Sequence, residues 1–223
     1  MTPPPVVLLD LDGTLVDCSR SIVEATLRTA EDLGLPAPTP EWARERIGHP
    51  PLQTWELLGA TDPAAASARF GHFVQPIMNE QLVLLPGVPG ALRALHEAGL
   101  TLAVATTRKT ESAKESLRVA GLTPWIAQVT GRDLVERPKP APDVLLHALE
   151  AVGGRPERAI MVGDSSADVL AAHALGMPCF GLPEGIGGEQ QLREAGADLI
   201  LSSGMSELPE AVRGSALMED APA

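Results

Sequence analysis

A chain of 223 residues suits one large domain, or a core domain carrying a smaller insert. Its hydrophobic fraction of 44% supports a packed core and is too high for a disordered chain. Twenty-nine acidic against 17 basic residues, a formal net charge of −12, argue against a nucleic-acid-binding surface, although a bound cation can still reverse the local field for a small anion.

The two cysteines, Cys18 and Cys179, form neither a metal-ligand spacing nor a disulfide framework. The apolar stretch before Asp10 is too short for a signal peptide, and no apolar run approaches a membrane span. The expectation is a cytoplasmic protein that touches neither nucleic acid nor membrane, as a monomer or a homodimer.

The first element is the apolar run at 6–9, which ends at Asp10. Residues 19–33, 40–46, 52–58 and 63–81 then read as helices, with no good strand before Leu102 and a closing turn at 86–90. The apolar run 102–105 leads into Thr106 and Thr107, and the helix 110–120 stops at Gly121. A weaker strand at 126–129 precedes a helix at 142–152. The run 159–162 leads into Gly163 and Asp164, a helix follows at 166–175, and weaker strands lie at 179–182 and 198–201. Continuous apolar runs of this length suit strands buried on both faces. The alternation predicts a doubly wound α/β fold, a Rossmann-like parallel sheet with an inserted helical domain. The expected boundaries are 1–15 with 86–213 for the core, 16–85 for the insert and 214–223 for a flexible tail.

In such sheets ligands bind beyond the carboxyl ends of the strands, and the polar residues of this chain cluster there. Asp10 and Asp12 leave the first strand two residues apart. Two carboxylates at short range repel unless one holds a proton or a cation lies between them, and hard oxygen ligands suit magnesium. One can then attack while the other moves a proton. An ordinary Asp-Gly turn fits the same residues when they are read alone. Thr106 offers a hydroxyl at the end of its strand, and Thr107 or Thr110 fits a helix cap equally well. Arg108 and Lys109 read as a solvated charged face. Lys139 stands in a loop with Pro138, Pro140 and Pro142, where a rigidly held ammonium can balance a charged centre, although read alone it fits a surface lysine in a Pro-rich loop better. Asp164 follows a buried strand and can complete a metal site. Asp168 stands three residues after Ser165, the spacing of a capping box, so helix capping and metal support both remain open for it.

These elements, in this order, resemble the haloacid dehalogenase-like hydrolases over nearly the whole chain. The resemblance implies Asp10 as a nucleophile that forms an aspartyl-phosphate, Asp12 as the acid and base, Thr106 as a phosphoryl contact and Lys139 as its counter-charge. It implies Mg2+ held by Asp10, Asp12 through its backbone carbonyl, and Asp164, with Asp168 behind them. The helical insert resembles the family's cap, with Arg46 and His49 as candidate substrate contacts beside Thr107 and Arg108.

The family holds several chemistries. Its dehalogenases lack the second acid, which is present here as Asp12. Its sugar-phosphate mutases carry a cap histidine where this chain has Ile22, and basic cap-loop residues where this chain has Ile47 and Pro51. The expectation is therefore a phosphatase similar to phosphoglycolate phosphatases, acting on a small phosphorylated metabolite. The alternatives are a pyrophosphatase, a mutase, and a non-catalytic phospho-acceptor like a receiver domain.

Overall fold

The computed structural model describes residues 3–47, 51–185, 187–215 and 217. The strands in chain order are β1 (Val6–Leu9), β2 (Val16–Asp17), β3 (Val83–Leu84), β4 (Thr101–Ala105), β5 (Gln128–Thr130), β6 (Ala159–Gly163), β7 (Cys179–Gly181) and β8 (Leu199–Ile200). Six of them form one sheet in the order β5-β4-β1-β6-β7-β8, and every pair in it is parallel. β1 lies between β4 and β6, with Val7 opposite Leu102 on one side and Ile160 on the other. All four of its side chains are fully buried, which explains the uninterrupted apolar run. Burying each such aliphatic chain contributes about 1.5–3 kcal/mol.

The chain proceeds outward from β1 through β4 to β5 and then returns to β1's other edge as β6. The strand order thus reverses between β1 and β6, and a crevice opens at the carboxyl ends of strands at such a reversal. Helices α5 (Val88–Glu97), α6 (Thr110–Val119), α7 (Asp143–Ala151), α8 (Ser166–His173), α9 (Gly188–Ala195) and α10 (Leu208–Arg213) belong to the same part of the chain. One side of the sheet packs Val6, Leu8, Ala103 and Met161 against Leu145 and Leu149 of α7 and Val169 of α8.

The chain divides into two compact units: residues up to Asp17 with those from Leu84 onward, and Cys18–Val83. The second unit consists of α1 (Ser19–Asp32), α2 (Pro40–Arg44), α3 (Pro51–Leu57) and α4 (Pro63–Glu80). Its centre is Trp55 with Ala30, Leu58 and Ala66, and the Phe70 ring lies 6.0 Å from Trp55. Thr39 caps α2 by accepting from the Trp42 N–H, and Asp62 caps α4 by accepting from the Ala65 N–H. Arg69 of α4 grips Asp32 of α1 through two bonds of 2.6 and 2.7 Å. No described helix is long and apolar enough to cross a membrane.

Three expectations change. Two short strands, β2 and β3, lie before Leu102; at two residues each they carry no periodicity that a sequence pattern could show. Within the segment 86–90 only Pro86 and Gly87 form a turn; α5 already starts at Val88, with Gly87 as its cap at φ +82° and Pro89 in the first turn, where the missing N–H costs nothing. β5 starts at Gln128, because residues 123–125 form a 3₁₀ turn that the Ile126 N–H closes onto the Thr123 carbonyl.

Candidate active site

Asp10 is the first residue beyond β1, and its N–H donates to the Val162 carbonyl of β6 at 2.9 Å. That bond fixes it at the strand-order reversal. Asp164 directly follows β6 and is buried. Lys139 is buried with them: its Nζ donates to Asp10 Oδ1 at 2.8 Å and to Asp168 Oδ1 at 2.5 Å. Asp168 Oδ2 accepts from the Ser165 N–H at 3.1 Å and from its hydroxyl at 2.7 Å. The two readings of Asp168 are therefore not exclusive, since one carboxylate caps α8 and anchors the lysine.

Asp10, Asp164 and Asp168 can each place an oxygen within 4.8 Å of the others'. With Lys139 these groups carry three negative charges and one positive. The remaining two negative charges match one divalent cation. Oxygens around Mg2+ at about 2.1 Å span about 4.2 Å at most, and the three acids' oxygens lie within 4.8 Å of one another, so a small closure brings them into range. The donor set therefore fits Mg2+. Both Asp168 oxygens are engaged, Oδ1 by Lys139 and Oδ2 by Ser165.

Electrostatics agree with that balance. Burial pushes the Asp10 carboxyl up to about 7; Lys139 opposes the rise, while the charges of Asp168 and Asp12 add to it. Burial also works against the Lys139 charge, yet Asp10 and Asp168 outweigh it and hold the ammonium above the usual lysine range.

Three glycines make room for the acids. A Cβ on Gly13, at φ +80°, would fall 2.1 Å from Asp164 Oδ2. One on Gly163 would fall 2.3 Å from Asp168 Cγ, and one on Gly185 would fall 2.2 Å from Asp164 Cβ. The carboxylates converge only because these positions lack side chains.

Thr106 directly follows β4, is buried, and donates its N–H to the Thr130 carbonyl at 3.0 Å. Its hydroxyl accepts the Arg108 N–H at 3.2 Å. The Arg108 side chain turns inward: Nε donates to Asp12 Oδ2 at 2.6 Å, Nη2 bonds Asp12 Oδ1, and Nη1 donates to Ser116 Oγ at 2.7 Å. A hydroxyl, four carboxylates, a guanidinium and an ammonium thus gather beyond β1, β4 and β6. Such a group can bind an oxyanion, attack it and move a proton.

The residue pattern of the haloacid dehalogenase-like hydrolases matches residues 7–182. The chain belongs to this family. Among its relatives, a plasmid-borne phosphoglycolate phosphatase of Cupriavidus necator is 33% identical, covering 90% of this chain and 90% of the relative. A pyrophosphatase, PpaX, of Halalkalibacterium halodurans is 31% identical over 88% of this chain and 92% of its own. Among solved structures, a haloacid dehalogenase-like hydrolase of Streptococcus pneumoniae superimposes with a TM-score of 0.78 at 27% identity, covering 90% of this chain and 94% of that one.

Within this member of the family, Asp10, Asp164, Asp168 and Lys139 form one buried cluster, and Asp12 joins Arg108 beside Thr106. The solvated-face reading holds for exposed Lys109 but not for Arg108, which is buried. Thr107 is exposed. Arg46 lies in the helical unit, where its guanidinium covers the Trp42 ring at 4.0 Å and donates to the Trp42 carbonyl. His49 lies outside the described residues, as do 216 and 218–223 of the expected tail.

Sequence reasoning missed Ser116, which holds Arg108, and Asp133. The Asp133 carboxylate accepts the Thr110 N–H at 2.6 Å and the Thr110 hydroxyl at 2.9 Å, and the Thr110 N–H bond leads in holding its carboxyl below the usual range. Gly185 and Gly187 were missed as well; the Gly187 N–H donates to the Asp164 carbonyl at 3.2 Å. The dense glycines at 185–188 after β7 were the available signal.

Proposed function

We propose that this chain is a Mg2+-dependent phosphatase of small phosphate monoesters, with Asp10 as its nucleophile. The supporting observation is the Asp10 carboxylate at the end of β1, bonded to buried Lys139 within a cluster of three carboxylates. In this reading Asp10 attacks phosphorus in line with the leaving oxygen. The new Asp10–phosphorus bond forms as the ester P–O bond breaks, and Asp12 gives the leaving oxygen its proton. Water then attacks phosphorus, Asp12 takes the water's proton, and Asp10 is regenerated. Lys139 balances charge on Asp10 and on the transferring group, and Thr106 supplies a hydroxyl to it. Asp10 and Asp164 with the Asp12 carbonyl would hold Mg2+, which would supply electrostatic stabilisation of the phosphoryl oxygens when bound.

We assign substrate selection to the helical unit and take it as the cap, with Arg46 and His49 as candidate contacts. The C. necator relative supports phosphoglycolate as the first ester to try, and the H. halodurans relative supports pyrophosphate. Ile22, in place of a proton-carrying side chain, favours water over a sugar hydroxyl as the acceptor. The buried free thiols of Cys18 and Cys179 fit a reducing cytoplasm.

The test is phosphate release across a metabolite panel with Mg2+, including 2-phosphoglycolate and pyrophosphate. The expectation is many phosphates released per chain, and none from Asp10→Asn. Full activity in that variant overturns the mechanism, and a single phosphate per chain favours the phospho-acceptor.

A further inference from the structure

Arg108 and Asp12 pose a problem for the acid–base role just assigned. Both Asp12 oxygens are held by one guanidinium, through Nε and Nη2. A carboxylate gripped at both oxygens cannot turn toward a leaving oxygen or a water without giving up a bond to Arg108. The arginine in turn does not readily let go. Its side chain is 7% exposed against 19% for Asp12, and a buried guanidinium stripped of its anion is strongly unfavourable.

The rest of Arg108 is fastened independently of Asp12. Ser116 Oγ accepts from Nη1, Thr106 Oγ1 accepts the backbone N–H, and the Arg108 carbonyl accepts the Arg132 N–H at 2.9 Å. Gly131 permits this close packing, since a Cβ there would fall 2.5 Å from the Arg108 carbonyl oxygen. The Nε/Nη2 edge is therefore preset, and Asp12 is its exchangeable partner. Two parallel N–H donors match two oxygens of a phosphoryl group as well as they match a carboxylate. Asp12 is also only two residues from Asp10, so an oxyanion replacing it on Arg108 lies beside the nucleophile.

We propose that the Asp12 carboxylate is a resident stand-in for two phosphoryl oxygens of the substrate on the Nε/Nη2 edge of Arg108, so that phosphoryl binding and release of Asp12 for acid–base work are a single exchange. The proposal rests on the phosphatase reading. It makes Arg108 the group that couples occupancy of the site to the freedom of Asp12, and it leaves Asp12 locked when no phosphoryl group is present.

The test is calorimetric titration of inorganic phosphate into the full-length protein with Mg2+, without turnover. Asp12→Asn frees the arginine edge and should tighten phosphate binding roughly tenfold. Arg108→Gln should weaken it, and the gain from Asp12→Asn should vanish in the Asp12→Asn/Arg108→Gln double variant. Should Arg108→Gln not fold by circular dichroism, Arg108→Lys keeps the charge but not the two-pronged edge, and the gain should shrink in that background. Unchanged or weaker phosphate binding by Asp12→Asn overturns the exchange. A gain that survives without Arg108 also overturns it, since removal of a negative charge then suffices. The two readings fail separately: a protein that releases no phosphate from any ester yet shows this pattern keeps the exchange and loses the phosphatase reading.

Discussion

Asp10 lies under two opposing influences, burial and a buried lysine. Burial wins, and its carboxyl rises from 3.8 to about 7. Between those values the folded chain holds a proton that the unfolded chain has lost, so stability falls as pH rises through that window. In the proposed site Mg2+ would bind the ionised carboxylate and offset the loss. We expect Mg2+ to raise the melting temperature clearly at pH 8 and little at pH 5; an equal shift at both, read by circular dichroism, contradicts the assignment. The contribution of Lys139 depends on how far Asp10 is ionised. Its ammonium faces Asp10 and Asp168 with a side chain 1% exposed, and removing it leaves both acids without that counter-charge. Lys139→Met should cost about 3–5 kcal/mol in urea unfolding at pH 8. The cost should shrink toward pH 5, where Asp10 takes up a proton.

Loops between elements decide whether these side chains can meet. Gly13 adopts φ +80° and lies where any Cβ would strike Asp164. Gly34 adopts φ +64° with nothing within 4 Å of such a Cβ. Alanine at either position costs about 1–2 kcal/mol for the left-handed backbone. Only Gly13→Ala should also abolish the Mg2+-induced rise in melting temperature. Retention of that rise in Gly13→Ala, or its loss in Gly34→Ala, contradicts the steric account. Asp133 acts at the start of α6, where it holds the Thr110 N–H. Asp133→Ala removes the acceptor of the Thr110 N–H and hydroxyl and should lower the urea-unfolding midpoint slightly.

For the whole molecule, the division of the chain sets what can fold alone. The six-stranded sheet lies entirely outside Cys18–Val83. The Leu85 N–H donates to the Leu15 carbonyl at 3.1 Å, so the core unit brings together the two ends of the excised segment. Replacing residues 18–83 by a short Gly-Ser linker should leave a cooperatively unfolding α/β protein that still responds to Mg2+. Loss of cooperative unfolding shows instead that the core needs the insert. Strand types and their order were legible because a strand buried on both faces must be apolar throughout, as in residues 6–9 and 159–162. β2 and β3 were not legible, because two residues carry no pattern, and Pro89 disguised the start of α5 as a turn.

The sequence by itself determined the parallel sheet, the helical insert and the identity of the acids and lysine at the strand ends. The sheet and the insert follow from local apolar patterns, whereas the acids and the lysine stand out only as an ordered set that resembles the family's, since each alone reads as a turn, a helix cap or a surface lysine. Only the tertiary structure decided who meets whom. Lys139 joins Asp10 and Asp168 across 129 and 29 residues, and Arg108 reaches Asp12 across 96. Arg108 shows the reason: a charged residue looks solvent-exposed in a linear sequence until its buried counter-charge arrives from another strand, and no local pattern records that arrival.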